Sequence, residues 1–246
     1  MHGRKFSLGL TLVELMVSLA LGLFIFAVTL KLYVDNKGTY NLQRALSLMQ
    51  EQGRYAEDLL AAQMKLSGFG GAQGVVNSFV FSSNSDGEPY DVLEIQIAGA
   101  GTDCMGGPLQ AGSGVKRKRF YVKAESLLCS DSDGISAPII NNVESFQVAY
   151  GVDLDRSALF DVGYGSADIY VAGNVLEAEV SPHVVSVKIA IVVKSEQKIN
   201  SGKSAVSGNR VWVLDRFVPD RFTASPDGYL RRLFVSTTAI RNFVHR

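Results

Sequence analysis

Glu14 stands in "GLTLVELMVSLALGLFIFAVTL", residues 9–30, and is the only ionisable group between Leu10 and Leu30. A carboxylate in hydrocarbon costs about 2.5–3.5 kcal/mol on insertion scales, so such a residue is a functional hypothesis and needs a partner. The run contains no Lys or Arg. A cation for Glu14 therefore has to come from outside the run.

Other residue types with chemical potential are sparse. The two cysteines, Cys104 and Cys129, are far enough apart to suit a disulfide in an oxidising compartment. If it forms, the chain-entropy relation assigns it roughly 3.5 kcal/mol; two separate thiols are the alternative. His2, His183 and His245 are scattered without a spaced second ligand, so neither a metal nor a cofactor is expected. "NSDGEPYD" (84–91) and "SDSDG" (130–134) carry carboxylates that could hold calcium. The EF-hand pattern is absent, and Asp-Gly turns between strands explain both segments more simply. There is no G-x-S-x-G elbow, and no His close in sequence to either cysteine, so no catalytic residue is assigned and the protein is expected not to be an enzyme. "KRKRFY" (116–121) places four cations before two aromatics, as some single-strand binders do. Four charges beside a strand more often form a solvated edge that discourages sheet pairing, and nucleic acid is not the expected partner.

These residues have to be positioned by a limited set of elements. A chain of 246 residues accommodates an anchor and one extracytoplasmic domain. Its 24 Lys+Arg balance 24 Asp+Glu, so no global field points to an acidic or basic partner. The apolar run has the length of a membrane-spanning helix, and Arg4 and Lys5 ahead of it hold that end in the cytoplasm. A cleaved secretory signal is the rival reading. The run exceeds an ordinary h-region, however, and no A-x-A-like site closes it.

Past Leu30 the helical pattern continues. Leu42, Leu46, Met49, Gly53, Ala56, Leu60 and Gln63 recur in steps of four and three, a face suited to packing on a neighbour. A helix from Leu10 to about Leu66 would be roughly 85 Å long. Gly22, Gly38 and Gly53 within it are flexure points, sites of close approach, or simply tolerated glycines. "SGFGG" (67–71) ends the helix and lacks the Lys-Ser/Thr of a phosphate loop. The period then changes to two in 92–99, 119–124, 145–150 and 184–193, with Val185, Val187, Ile189 and Ile191 on one face. The expected fold class is α+β: a long N-terminal helix packed on a β-rich head.

"GLTLVELMVSLALGLF" resembles the type IV prepilin signature of a short basic leader ending in glycine, then a hydrophobic residue, then glutamate as the fifth mature residue. The resemblance implies a leader over 1–9, cleavage between Gly9 and Leu10 by prepilin peptidase, N-methylation of Leu10, and an assembly role for Glu14. Leu10 departs from the phenylalanine most common at that place. Cleavage would create an amine with an ordinary pKa near 8, a cation that Glu14 of an axially displaced neighbour could pair with. The divisions implied are 10–30 for the transmembrane segment, 31–66 for the amphipathic half of the helix, and 67–246 for the head.

"NKGTYNLQRALSLMQEQGRYAEDLL", "NNVESFQVAYGVDLD" (141–155) and "LRRLFVSTTAIRN" (230–242) are similar to the PilW family of minor pilins. That likeness implies a subunit that primes pilus assembly and sits in or at the filament tip. The implied partners are other minor pilins, the major pilin, the assembly platform and a tip adhesin. The implied location is the inner membrane, with the head in the periplasm, and later the surface pilus. A pseudopilin of type II secretion shares leader, helix and head and is the alternative. A membrane-anchored adhesive or DNA-binding module is another.

Overall fold

The computed structural model describes residues 11–69, 79–80, 90–98, 102–107, 115–154, 165–177, 183–199, 212–214, 216–217 and 228–242. Helix α1 runs unbroken over Leu12–Leu66. The strands are β1 Phe79–Val80, β2 Leu93–Ala98, β3 Val115–Lys123, β4 Ser126–Asp131, β5 Ser136–Ile140, β6 Val143–Val152, β7 Ile169–Val171, β8 Val184–Lys194, β9 Trp212–Val213, β10 Arg216–Phe217 and β11 Arg231–Ala239, with a short α2 at Gly173–Glu177.

Strands β1 to β5 form an antiparallel meander in sequence order. A second sheet has the order β11-β8-β6-β7, and β9 pairs with β10. Local contacts dominate the first sheet, whereas the second brings residue 143 beside 193 and residue 239 beside 186. Leu93, Ile95, Phe120 and Leu127 from the first sheet share one apolar core with Phe146, Val148, Ile189, Ile191 and Phe234 from the second. The fold is α+β, with α1 laid across β11, β8 and β5.

The helix contributes Met49, Gly53, Ala56, Leu60 and Met64 to the interior. Their spacing of four, three, four and four keeps one stripe facing the head. The stripe differs from the expected one at both ends. Leu46 is exposed and Leu42 half-buried, because the interior contact starts only at Met49. Met64 replaces Gln63 at the other end, and Gln63 turns to a polar contact described below.

Ser67 and Gly68 terminate α1. The Ser67 hydroxyl donates to the Met64 carbonyl at 2.6 Å, and Gly68 takes φ +75°, a left-handed conformation that glycine adopts without a Cβ penalty. Its N–H then donates to Gln96 O at 2.8 Å, which ties the helix end to β2. Asn242 Nδ2 donates to the Lys65 and Ser67 carbonyls at 3.2 Å each, so the far end of the chain supplies donors to a helix terminus that would otherwise lack them.

Two strand readings needed correction. β3 is an interior strand, paired with β2 on one side and β4 on the other, so "KRKRFY" is not a solvated sheet edge. Alternation resolves the apparent conflict: Arg117 and Arg119 point outward while Lys118 and Phe120 are buried. The face assigned to β8 also shifts at its start. Val187, Ile189 and Ile191 join the main core, but Val184 takes the place expected of Val185, because the pairing with β6 slips between Gly151 and Val152. β8 is buried on both faces, which explains why its sequence runs almost continuously apolar.

Candidate functional site

Gly9 and Leu10 lie outside the described residues, as do Arg4, Lys5, His2 and His245. Glu14 lies within them, on the first turn of α1. Thr11 is the N-cap: its φ/ψ of −78°/151° is extended, and its Oγ1 accepts from the Glu14 N–H at 3.3 Å. Thr11-x-x-Glu14 is thus the Ser/Thr-x-x-Glu spacing of a capping box, a signal present in the sequence and overlooked in the reading of Glu14 as only a buried charge. The carboxylate is placed about 4.5 Å along the axis from the cap, where the helix dipole favours negative charge. Glu14 is exposed, so its carboxylate is presented outward from the chain.

From Leu15 to Leu30 the helix is apolar apart from Ser18 and Thr29, and every one of these residues is exposed. Phe24 is 68% exposed, Phe26 60% and Leu19 59%, against 0% for Ala56 and Leu60 farther along the same helix. The first half of α1 is therefore long and apolar enough to cross a membrane, and no part of its most apolar stretch is buried within the chain.

The second half is held by the head through specific contacts. At Gly53 a Cβ would fall 2.2 Å from the Phe234 ring, whereas nothing lies within 4 Å of one at Gly22 or Gly38. Gly53 is the close-approach position of the three. Gly53→Ala is expected to cost about 1–3 kcal/mol through overpacking, and Phe234→Leu in the same chain should recover much of it. Chemical denaturation of the two single variants and the double variant measures this; strictly additive losses would refute the contact.

Between the sheets and the helix, Lys118 Nζ donates to Gln63 Oε1 at 2.8 Å. Burial pulls the Lys118 pKa below the ordinary lysine value, and the charges of Asp103 and Asp131 act against that shift. Arg231 makes a two-point pair with Glu144, Nε to Oε2 at 2.6 Å and Nη2 to Oε1 at 2.9 Å. The pair spans β8 and joins the two segments 141–155 and 230–242. Cys104 and Cys129 form a disulfide with Cα atoms 5.6 Å apart, fixing the turn at 102–107 to β4.

The acidic segments act as turns and ladder pieces. Asp131 Oδ1 accepts from the Asp133 and Ile135 N–H groups at 3.0 and 2.9 Å, and Gly134 has φ +83°. Of residues 84–91, only Tyr90 and Asp91 are described. Asp91 is buried, and its Oδ2 accepts from the Val148 N–H at 2.8 Å. His183 stands 3.9 Å from the Asp153 carboxylate.

A groove of about 420 Å³ runs between α1 and β11, with Glu57, Asp58, Ala61 and Lys65 on the helix side and Val235 to Ala239 with Arg241 on the strand side. Burial first, then the neighbouring Asp58, raises the Glu57 pKa above its ordinary 4.5, with Arg54 opposing. A raised carboxyl pKa contributes stability that is full below the unfolded pKa and lost as pH rises through the folded one. Glu57→Gln is therefore expected to raise the thermal midpoint at neutral pH, with the gain vanishing below about pH 4. Equal midpoints for the two forms across that range would contradict the assignment.

Residues 114–242 match the profile of the family described as Type IV Pilus-assembly protein W, PilW. In three dimensions the chain is similar to a type IV-like pilin from Thermus thermophilus, at 17% identity and a TM-score of 0.45, with 82% of this chain and 96% of that chain covered. No curated protein matches the sequence. The family match takes in β3 to β11, and with them the Glu144–Arg231 pair, Cys129 and the Asn242 cap on α1. Because that match covers more than half of the 246 residues, the chain belongs to the PilW family of type IV pilus-assembly proteins.

Proposed function

We propose that this protein is a non-enzymatic minor pilin, inserted with its first residues in the cytoplasm, cut after Gly9 by prepilin peptidase and methylated on Leu10. It then takes part in priming assembly and occupies the filament in or at the tip, beside other minor pilins and the major pilin. The observation that carries this reading is the contrast along α1. Its first half exposes apolar side chains on every face with one carboxylate at the start, while its second half is clamped to the head. Such a helix needs lipid first and neighbouring helices later. Glu14 supplies a negative charge to the amine that cleavage creates on an adjacent subunit.

Intact mass and N-terminal sequencing of membrane-extracted protein, with and without prepilin peptidase, test the proposal. The expected product begins at Leu10 and carries one added methyl group. An uncut chain in both samples, or a cut beyond Leu30, would overturn it. Co-purification with the major pilin is expected; co-purification with a secretion pseudopilus instead would transfer the same chemistry to that machine.

A further inference from the structure

The outer edge of β11 combines features that edges of soluble sheets usually avoid. β11 has nine residues, pairs only with β8, and ends the order of its sheet among the described residues. Edge strands are ordinarily protected by charge, proline, shortness or cover. From Leu233 to Ala239 this one reads Leu-Phe-Val-Ser-Thr-Thr-Ala, without charge or proline, and Val235 is 49% exposed. Arg232 and Arg241 lie only at its margins.

The groove beside it has a direction. Gly53 meets Phe234 and Asn242 caps Lys65, so α1 and β11 run the same way. Glu57 and Asp58 therefore line the end near Val235, while Lys65 and Arg241 line the end near Ala239. Neither Glu57 nor Asp58 forms an ion pair with a described residue. Among the described residues the groove thus borders an unpaired backbone edge with an acidic end and a basic end.

A second copy of this chain does not suit it. Two β11 edges paired antiparallel about Thr237 would set Arg232 of one copy opposite Asn242 of the other, so no opposite-charge pair favours that union. They would also set the two α1 helices head to tail, whereas copies anchored by α1 in one membrane point the same way; this step rests on the anchored topology proposed above.

We propose that the β11 edge is a strand-acceptor site for an extended segment of a different protein, added antiparallel, with a cationic residue beside Glu57 and Asp58 and an acidic residue beside Lys65 and Arg241. Backbone hydrogen bonds along Val235 to Ala239 supply affinity, and the end charges set register and direction. The acceptor role is separate from leader processing and survives if the Gly9 cut is refuted.

The test uses the full chain in detergent micelles and a fluorescent peptide, Glu-Val-Thr-Val-Thr-Val-Lys, followed by anisotropy. Saturable binding is expected. Replacing the peptide's Lys by Glu should weaken it about tenfold, and Glu57→Lys with Asp58→Lys should restore the Glu-ended peptide. The same peptide N-methylated at alternate amides, which cannot complete the ladder, should not bind on one of its two registers of methylation. This control leaves the protein untouched, so it stands even if an edge variant such as Thr237→Pro fails to fold. Absence of saturable binding, equal binding of both methylated forms, or indifference to the charge swap overturns the proposal. Formation of a disulfide-linked homodimer by Thr237→Cys under mild oxidation would assign the edge to a second copy and overturn it too.

Discussion

Glu14→Ala is expected to leave the protein folded and membrane-bound but to lower its recovery in sheared pili by about a hundredfold or more. The estimate follows from leaving a neighbour's terminal cation unpaired in a low-dielectric helix bundle, a loss of about 3–5 kcal/mol, where each 1.4 kcal/mol is a factor of ten. The head should be unaffected, because the first α1 residue it buries is Met49 and its nearest shared groove with the helix starts at Asn41, far from the first turn. The capping geometry makes a second variant informative. Glutamine can serve at the third helical position of a capping box but carries no charge. If Glu14→Gln is as defective as Glu14→Ala, charge pairing is the function. If Glu14→Gln assembles normally, the residue matters only as a partner to Thr11, and Thr11→Val should then be the more damaging change. Immunoblots of pilus and membrane fractions, normalised to total protein, separate these outcomes.

Removing the disulfide should have the largest effect on the head itself. For Cys104→Ser with Cys129→Ser, the sequence separation of 25 corresponds to roughly 3.5 kcal/mol in the chain-entropy relation. At about 2–4 °C per kcal/mol for a domain of this size, the thermal midpoint should fall by roughly 7–14 °C. The cross-link closes a loop that includes β3, whose buried Lys118 needs its alignment with Gln63. The turn it holds is otherwise organised locally, by Asp103 Oδ1 accepting from the Met105 and Gly107 N–H groups at 2.8 Å each. Near-UV circular dichroism during heating is the measurement. A shift of under about 2 °C would show that the unfolded chain is not appreciably restrained by this bridge.

The parts of the protein legible in sequence are those governed by period and composition. The apolar run, the helix continuing past it, and its end at Ser67 and Gly68 follow from side-chain spacing and the left-handed conformation glycine supplies. The even pair of cysteines suited a bridge, and the structure contains it. Thr11-x-x-Glu14 was equally readable, since a capping box is a local signal; the weight of Glu14 as an isolated charge obscured it. The basic run at 116–119 was misread because a count of charges ignores alternation. On a pleated strand neighbouring cations point to opposite faces, and Lys118 goes inward to Gln63.

By itself the sequence determined a long helix with an apolar first half, a carboxylate at its start, a glycine-marked end and a β-rich remainder. These depend on neighbours within a few residues, where spacing maps directly onto geometry. Tertiary structure decided that Gly53, and not Gly22 or Gly38, receives Phe234; that Glu144 reaches Arg231; that Asn242 caps a helix ending 176 positions earlier, at Leu66; and that β11, paired with β8, ends its sheet among the described residues. Each of these joins residues distant in the chain, and distance in sequence carries no information about which pairs meet until the strand order is set by packing around the common core.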